Sequence, residues 1–205
     1  MKILNLFAGI GGNRTLWGDE HEITAVEWDQ KRAFNYLNKF PRDKVIVGDA
    51  YEYFETNFEK FDIVWASPPC QTHTGITRMN VGIRYNNKKV SCYIPDMRLY
   101  GLIFFLKHHF RGNWIVENVT TFYKPLIKPT CIRGRHYYWS NIAIPSRSKK
   151  SMKNEIGGLG DSLRHKIHGF RSGYTKKQED RNKINDNEGL ILLDYLIGKT
   201  QMKLF

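Results

Sequence analysis

The sequence predicts an α/β fold with a mostly parallel central sheet and helices on both faces. Short apolar runs typical of strands alternate with helical segments, an order that indicates parallel strands joined by crossover helices. The predicted strands cover residues 2–7, 22–26, 44–48, 61–66, 113–119 and 136–144, and the predicted helices cover 30–40, 50–59, 97–110 and 186–198. Several strands end directly in polar or reactive side chains, at the edge where such sheets bind ligands.

Cys70 follows one of these strands and the dipeptide Pro68-Pro69. Proline lacks a backbone N–H and fixes φ, so the chain must leave the sheet there and carry Cys70 to the strand's carboxyl end. A cysteine held at that edge is a candidate nucleophile, although a lone cysteine is more often a small buried apolar residue.

The first three predicted strands each end in groups that suit a nucleotide. The first leads into the glycine-rich turn 8–12 and a predicted helix through Leu16 and Trp17, the second ends in Glu27, and the third ends in Asp49. Glycines let a backbone approach a ligand, and an acid after the second strand suits a ribose hydroxyl pair. Asp49 suits an adenine amino group, so these strand ends predict an adenosine-containing cofactor.

Glu117 ends the apolar strand that follows the Cys70 strand. A carboxyl group in a crevice closed to water has its pKa raised by desolvation and can donate a proton near neutrality. A thiol and an acid at neighbouring strand ends suit nucleophilic addition to a ring that is protonated as it is attacked.

A set of motifs in this order resembles the cytosine-C5 DNA methyltransferase family. They are the cofactor motif at 7–12, Pro69-Cys70-Gln71, Glu117-Asn118-Val119, Arg133-Gly134-Arg135, and a degenerate last motif at Asn182-Lys183-Ile184. The resemblance covers most of residues 1–140 and resumes near the carboxyl terminus. It implies a Rossmann-like, S-adenosylmethionine-dependent methyltransferase fold.

The resemblance also implies covalent catalysis on a cytosine flipped out of DNA. Cys70 would add to C6 of the base, and Glu117 would hydrogen-bond N3 and the exocyclic amine. Arg133 and Arg135 would lower the pKa of the Cys70 thiol and orient the nucleotide.

S-adenosylmethionine, which becomes S-adenosylhomocysteine, is the implied cofactor. The implied cofactor-binding residues are Phe7, Ala8, Gly9, Gly11, Gly12, Glu27, Trp28, Asp49, Ala50, Pro69, Asn182 and Ile184. The chain departs from the family pattern at three places, which are Asn5 in place of Asp, Thr72-His73-Thr74 after the cysteine motif, and Cys131 in place of Gln.

Positive charge predicts a nucleic-acid partner. Lys and Arg number 32 against 20 Asp and Glu, a formal net charge of +12, and such an excess favours salt-sensitive binding to DNA. Residues 71–96, without a sustained helical or strand period, are predicted to form a lid, and the basic stretch 144–183 takes the place of a target-recognition region. The predicted nucleic-acid contacts are Gln71, Arg78, Arg84, Lys88, Lys89, Asn118, Arg164, Lys166 and Arg171.

The predicted organisation is a single catalytic domain over 1–205, in which residues 184–205 return to the core as a C-terminal helix. The interval between the arginine pair and the last motif is too short and too polar to bury a second core. We therefore expect a relaxed or very short sequence preference, with a homodimer or a partner protein supplying target recognition.

The three cysteines are few and odd in number, which favours a reducing compartment, here the cytoplasm of a prokaryotic or phage-infected cell. No membrane span and no metal site are predicted. The favoured function is DNA cytosine-C5 methylation, for restriction protection or phage self-marking. Two alternatives stay open, which are the same chemistry on transfer RNA and a catalytically inactive DNA-binding module.

Overall fold

The structure, a computed structural model, describes residues 1–74, 83–85, 88–90, 94–147 and 186–199. The strands are β1 (Lys2–Leu6), β2 (Glu22–Glu27), β3 (Lys44–Val47), β4 (Ile63–Ala66), β5 (Ile83–Tyr85), β6 (Lys88–Val90), β7 (Asn113–Val119), β8 (Cys131–Arg133) and β9 (His136–Ser140). The helices are α1 (Gln30–Lys39), α2 (Ala50–Asn57), α3 (Arg98–His109) and α4 (Asp186–Leu196), with a 3₁₀ turn at Phe58–Lys60.

The main sheet has seven strands in the order β3-β2-β1-β4-β7-β9-β8. Its first five strands are parallel, and β9 pairs antiparallel with both β7 and β8. The strand order reverses between β1 and β4, and the crevice at such a switch point is where open α/β sheets bind ligands. The predicted Rossmann-like, mostly parallel sheet is confirmed.

Helices cover both faces of this sheet because successive strand residues point to opposite sides. On one face Leu4 and Leu6 of β1 pack in a cluster with residues of α2 and α3. On the other face Ile3 packs in a cluster with Leu192 and Leu193 of α4. The parallel strands β1, β2, β4 and β7 are mostly buried on both sides, as expected of covered parallel sheets, whereas the edge strand β3 is partly exposed.

The predicted helix through Leu16 and Trp17 is wrong, because residues 12–16 form turns. Buried polar contacts replace helical hydrogen bonds there, and the Arg14 guanidinium donates to Asp43 at 2.9 Å. Trp17 is buried against Trp65, with ring centroids 5.3 Å apart. Its indole N–H donates to the Gly189 carbonyl of α4 at 3.1 Å.

Strand β9 ends at Ser140, so the predicted continuation through 142–144 is also wrong. The Asn141 side chain replaces backbone pairing with the start of β7. It accepts from the Trp114 N–H at 3.0 Å and donates to the Gly112 carbonyl at 3.0 Å. These bonds occupy the backbone groups that a longer strand would have used.

The predicted lid contains one regular feature that the sequence did not indicate. Strands β5 and β6 pair antiparallel, with Ile83 opposite Val90. The remainder of residues 75–93 and the basic residues 148–185 lie outside the described residues, as do the predicted sites Arg78, Arg164, Lys166, Arg171, Asn182 and Ile184 and the side chains of Arg84, Lys88 and Lys89. The predicted C-terminal helix is present as α4, while the single-domain organisation stays a prediction.

Within the described ranges, no helix is both long enough and apolar enough to cross a membrane.

Candidate active site

A cleft of about 700 Å³ opens at the carboxyl ends of β1, β2, β4 and β7. It brings together most of the predicted cofactor residues and both predicted reacting groups. Those that line it are Phe7, Ala8, Gly9, Gly12, Glu27, Trp28, Asp49, Ala50, Pro69, Cys70, Gln71, Glu117 and Asn118. Three predicted residues that the structure describes, Gly11, Arg133 and Arg135, are not among its lining.

The turn after β1 has an unusual backbone. Phe7 has a φ of 57°, in the left-handed region, and Gly9 has a φ of 55°. A non-glycine residue there costs about 1–3 kcal/mol and persists only where its surroundings enforce it. The Ala8 N–H donates to the Val26 carbonyl at 3.0 Å, and the Phe7 ring packs edge-on against Tyr51 with centroids 4.9 Å apart.

Gly9 and Gly11 are required for different reasons. A Cβ on Gly9 would meet nothing within 4 Å, so this glycine leaves open space on the cleft side. A Cβ on Gly11, whose φ is 74°, would collide with the Phe40 ring and lie 2.9 Å from the Tyr36 ring. Gly11 therefore allows close packing of α1 under the turn, and not a ligand contact.

Acidic side chains at the ends of β2 and β3 are already oriented by backbone N–H groups. The Glu27 carboxylate accepts from Gly9 at 2.8 Å on one oxygen and from Asp29 at 3.0 Å on the other. Asp49 caps α2 through Oδ1, which accepts from Tyr51 at 2.7 Å and from Glu52 at 3.2 Å. Each carboxylate keeps lone pairs for a ligand hydroxyl or amino group.

Trp28 is 74% exposed and lies in the wall of the cleft, beside Glu27. An aromatic ring left exposed at a pocket offers a flat apolar surface on which a purine can stack. Together with the oriented carboxylates and the open space at Gly9, this set fits an adenosine-containing cofactor.

The turn that carries Cys70 is fixed by hydrogen bonds. The Cys70 carbonyl accepts from His73 at 3.0 Å and from Thr74 at 3.1 Å. The Asn118 side chain, which is 1% exposed, donates to the Pro68 carbonyl at 3.1 Å. Asn118 was predicted to contact nucleic acid, but its amide nitrogen is engaged in joining β7 to this turn.

Burial raises the pKa of the Cys70 thiol, and the nearby Glu117 charge raises it further. The prediction that the arginine pair lowers this pKa is therefore wrong. The Arg133 guanidinium is buried and donates to the Glu188 carboxylate of α4 and, at 2.7 Å, to the Pro145 carbonyl. Arg135 is exposed in the β8–β9 turn, where its carbonyl accepts from Thr120 at 2.9 Å.

Burial raises the pKa of Glu117, as predicted for a carboxyl group in a crevice. Two neighbours oppose that rise more weakly, namely the charge of His136 and a hydrogen bond from Ser67. The His136 Nε2 lies 3.5 Å from the Glu117 Oε1. Glu117 can thus hold a proton nearer to neutrality than an ordinary carboxyl group.

His136, Arg32 and Arg98 line the cleft, and sequence reasoning missed all three. The antiparallel pairing of β7 with β9 places His136 opposite Val119, two residues from Glu117, so its position follows from register alone. Arg98 lies over the Tyr51 ring at 4.8 Å and pairs with Asp96 at 2.7 Å. A basic residue opening α3 was a visible signal, but nothing in the sequence places that helix end at the cleft.

Among the described residues, no three His, Cys, Asp or Glu side chains form a group that could hold a metal ion.

The amino-terminal part of the sequence matches a known protein family. Residues 1–81 match the model of the C-5 cytosine-specific DNA methylase family. The matched segment contains the glycine-rich turn, Glu27, Asp49 and Cys70. The predicted resemblance to that family is confirmed over this segment.

Solved structures also resemble this chain. A mutant of Spodoptera frugiperda DNMT2 is 22% identical, with a TM-score of 0.49, over 71% of this chain and 53% of that one. A putative DNA modification methyltransferase from an Escherichia coli prophage is 17% identical, with a TM-score of 0.44, over 71% and 49%. The Entamoeba histolytica methyltransferase EhMeth is 14% identical, with a TM-score of 0.42, over 72% and 56%.

The chain thus spans about half the length of these methyltransferases. No curated protein matches its sequence.

Proposed function

We propose that this protein is a methyltransferase that acts on DNA and transfers a methyl group from S-adenosylmethionine to C5 of a flipped cytosine through a Cys70–C6 adduct. The observation that carries the proposal is that Cys70 and Glu117 line the same cleft as the oriented carboxylates Glu27 and Asp49. The family that matches residues 1–81 is described as C-5 cytosine-specific DNA methylase, and this description supports the same chemistry.

The cofactor would be held by residues already in place. Glu27 would accept from the ribose hydroxyls, Asp49 would accept from the adenine amine, and Trp28 would stack on the purine. When bound, S-adenosylmethionine supplies an electrophilic methyl group. The backbone at Gly9 leaves space for the cofactor because no side chain occupies that part of the turn.

Cys70 and Glu117 have different roles in the attack on the base, as nucleophile and as proton donor. The Cys70 thiolate forms a bond to C6, and the electrons of the C5–C6 double bond move toward N3, where Glu117 delivers a proton. The raised pKa of Glu117 keeps that proton available. A protonated Glu117 also puts no negative charge beside the thiol, which removes one of the two causes that raise the pKa of Cys70. After C5 is methylated, loss of H5 and β-elimination release Cys70.

The net charge of +12 and the exposed Gln71 beside Cys70 support a nucleic-acid substrate, and the description of the family that matches residues 1–81 favours DNA. A duplex must release the cytosine from its stack, at a cost of a few kcal/mol. We propose that a second copy or a partner protein contributes to target recognition, with relaxed or very short sequence preference. Profiling methylated sites across random DNA tests this, because a strict six-base-pair target read by the isolated protein would contradict it.

Covalent trapping tests the proposal. The wild-type protein is incubated with cofactor and DNA that carries 5-fluorocytosine in many sequence contexts, and the protein–DNA adduct is resolved under denaturing conditions. Fluorine blocks the loss that would free the enzyme, so wild type should accumulate an adduct and Cys70→Ser should form none. A matched arm with 5-fluorocytosine transfer RNA decides between the two substrates. Trapping on neither would favour an inactive binding module.

A further inference from the structure

His136 lines the cleft, and the proposed mechanism has so far given it no role. The antiparallel register of β7 and β9 pairs Glu117 with Tyr138 and Val119 with His136. Glu117 and His136 are therefore diagonal neighbours on one face of the sheet, close enough for long side chains to meet. Their Nε2 and Oε1 atoms lie 3.5 Å apart.

The two side chains differ in their access to water. His136 is 23% exposed and Glu117 is 9% exposed. The carboxyl group that must give a proton to the base is thus almost closed to solvent, whereas the imidazole beside it reaches solvent. Catalytic hydrogen bonds are often long in the absence of substrate and tighten in the reacting complex.

We propose that His136 and Glu117 share one proton and act together as the acid of the site, with His136 taking from solvent the proton that replaces the one Glu117 gives to N3. This inference rests on the proposed function and deepens it. The step balances, because the S–C6 bond forms, the shared proton moves from Glu117 to N3, and a carboxylate is left beside a neutral imidazole. The neutral imidazole then takes a proton from solvent. His136 acts through Glu117 and is a positioning residue.

Other titratable or charged groups face the pair from each packed element. Cys70 approaches from the turn after β4, Tyr138 stands on β9, and Arg133 on β8 is register-paired with His136. Burial raises the pKa values of Cys70 and Tyr138, so both are protonated and neutral near pH 7, while Arg133 is occupied by Glu188. Histidine is the side chain that exchanges protons between about pH 5 and 8.

The pH dependence of adduct formation separates a shared proton from a purely structural role. A pair that holds one proton loses it at a higher pH than Glu117 would alone, because the imidazole offers a second place for it. In His136→Asn and His136→Gln, the basic limb of the rate profile should move to lower pH. The rates should converge with wild type at acid pH and fall about tenfold or more at alkaline pH.

The matched control is His109→Asn at the exposed end of α3, which should keep the wild-type profile. Circular dichroism confirms that each variant is folded. An unchanged profile in the His136 variants, or a loss of rate equal at every pH, would overturn the inference while leaving the proposed function intact.

A second readout does not need turnover. NMR titration of the His136 ring in wild type and in Glu117→Gln measures their coupling directly, because a carboxylate neighbour favours the imidazolium. The pH dependence of the His136 resonances should differ between wild type and Glu117→Gln. Equal titrations overturn the shared proton. If wild type forms no adduct but the titrations differ, the proposed function fails and the shared proton stands.

Discussion

The Asn118 side chain donates a hydrogen bond of 3.1 Å to the Pro68 carbonyl, and this contact joins β7 to the turn that carries Cys70. Asn118 directly follows Glu117, so one short segment holds the acid and fixes the position of the nucleophile. The separation between the two reacting groups thus depends on an amide that itself touches no substrate atom in the proposed mechanism.

Asn118→Asp tests that dependence, because aspartate keeps the shape but cannot donate. The buried Pro68 carbonyl would lose its partner, so the free energy of unfolding should fall by about 1–3 kcal/mol. Adduct formation should slow by about 10- to 100-fold, since a displacement of the nucleophile by about 1 Å can cost that much in rate. Urea denaturation and trapping measure the two effects. Asn38→Ala on the exposed side of α1 is the control, and equal behaviour of the two variants would contradict the account.

The two glycines of the first turn should respond differently to alanine. Gly9→Ala places a side chain in open space and costs only the left-handed backbone, about 1–2 kcal/mol. Gly11→Ala adds a clash with Phe40 and Tyr36, so it should lose about 1–3 kcal/mol more. Chemical denaturation gives both values. Should Gly11→Ala be the milder change, the close packing of α1 under the turn would be wrong.

The reactivity of the Cys70 thiol should depend on Glu117. An ionised Glu117 raises the pKa of Cys70, so Glu117→Gln should lower it and increase the thiolate fraction. Alkylation by iodoacetamide should be several-fold faster in the variant at pH values where Glu117 is ionised. At acid pH, where Glu117 is protonated, the two rates should agree. Peptide mass spectrometry measures this, with Cys131 as an internal control, because burial raises its pKa to about 11. Equal rates at every pH would exclude the coupling.

Arg133 and Glu188 form a buried ion pair between β8 and α4, and breaking it should destabilise the protein. Glu188→Gln leaves the guanidinium buried without a counter-charge, which costs about 3–5 kcal/mol in comparable pairs. Urea denaturation measures the loss. Glu20→Gln breaks the exposed pair with Lys199 and should leave the denaturation midpoint unchanged. A similar small effect in both variants would show that Arg133 does not depend on Glu188.

The sequence predicts the site wherever local signals mark a strand end. Pro68-Pro69 stops β4, the glycine-rich turn stops β1, and parallel strands bring their carboxyl ends to one edge, so Cys70, Glu27 and Asp49 meet without knowledge of distant contacts. Glu117 follows the same rule. These positions depend on strand ends and parallel pairing, both of which are visible in the order of apolar runs.

The sequence could not predict what depends on antiparallel register or long-range pairing. Arg133 does not line the cleft, and its guanidinium pairs instead with Glu188, 55 residues later in the chain. His136 reaches Glu117 only because β9 pairs with β7 in one register, and a shift by one residue would turn it to the other face. Trp17 leaves its predicted helix because Trp65 and α4 provide a buried site for its ring.

Peptide mapping of the trapped complex is the most direct measurement of the central claim. After digestion of the protein with trypsin and of the DNA with nuclease, the peptide of residues 61–78 should carry the 5-fluorocytosine nucleotide and a methyl group, attached at Cys70. Attachment at Cys92 or Cys131, or the formation of 5-methylcytosine in ordinary DNA by Cys70→Ser, would contradict it.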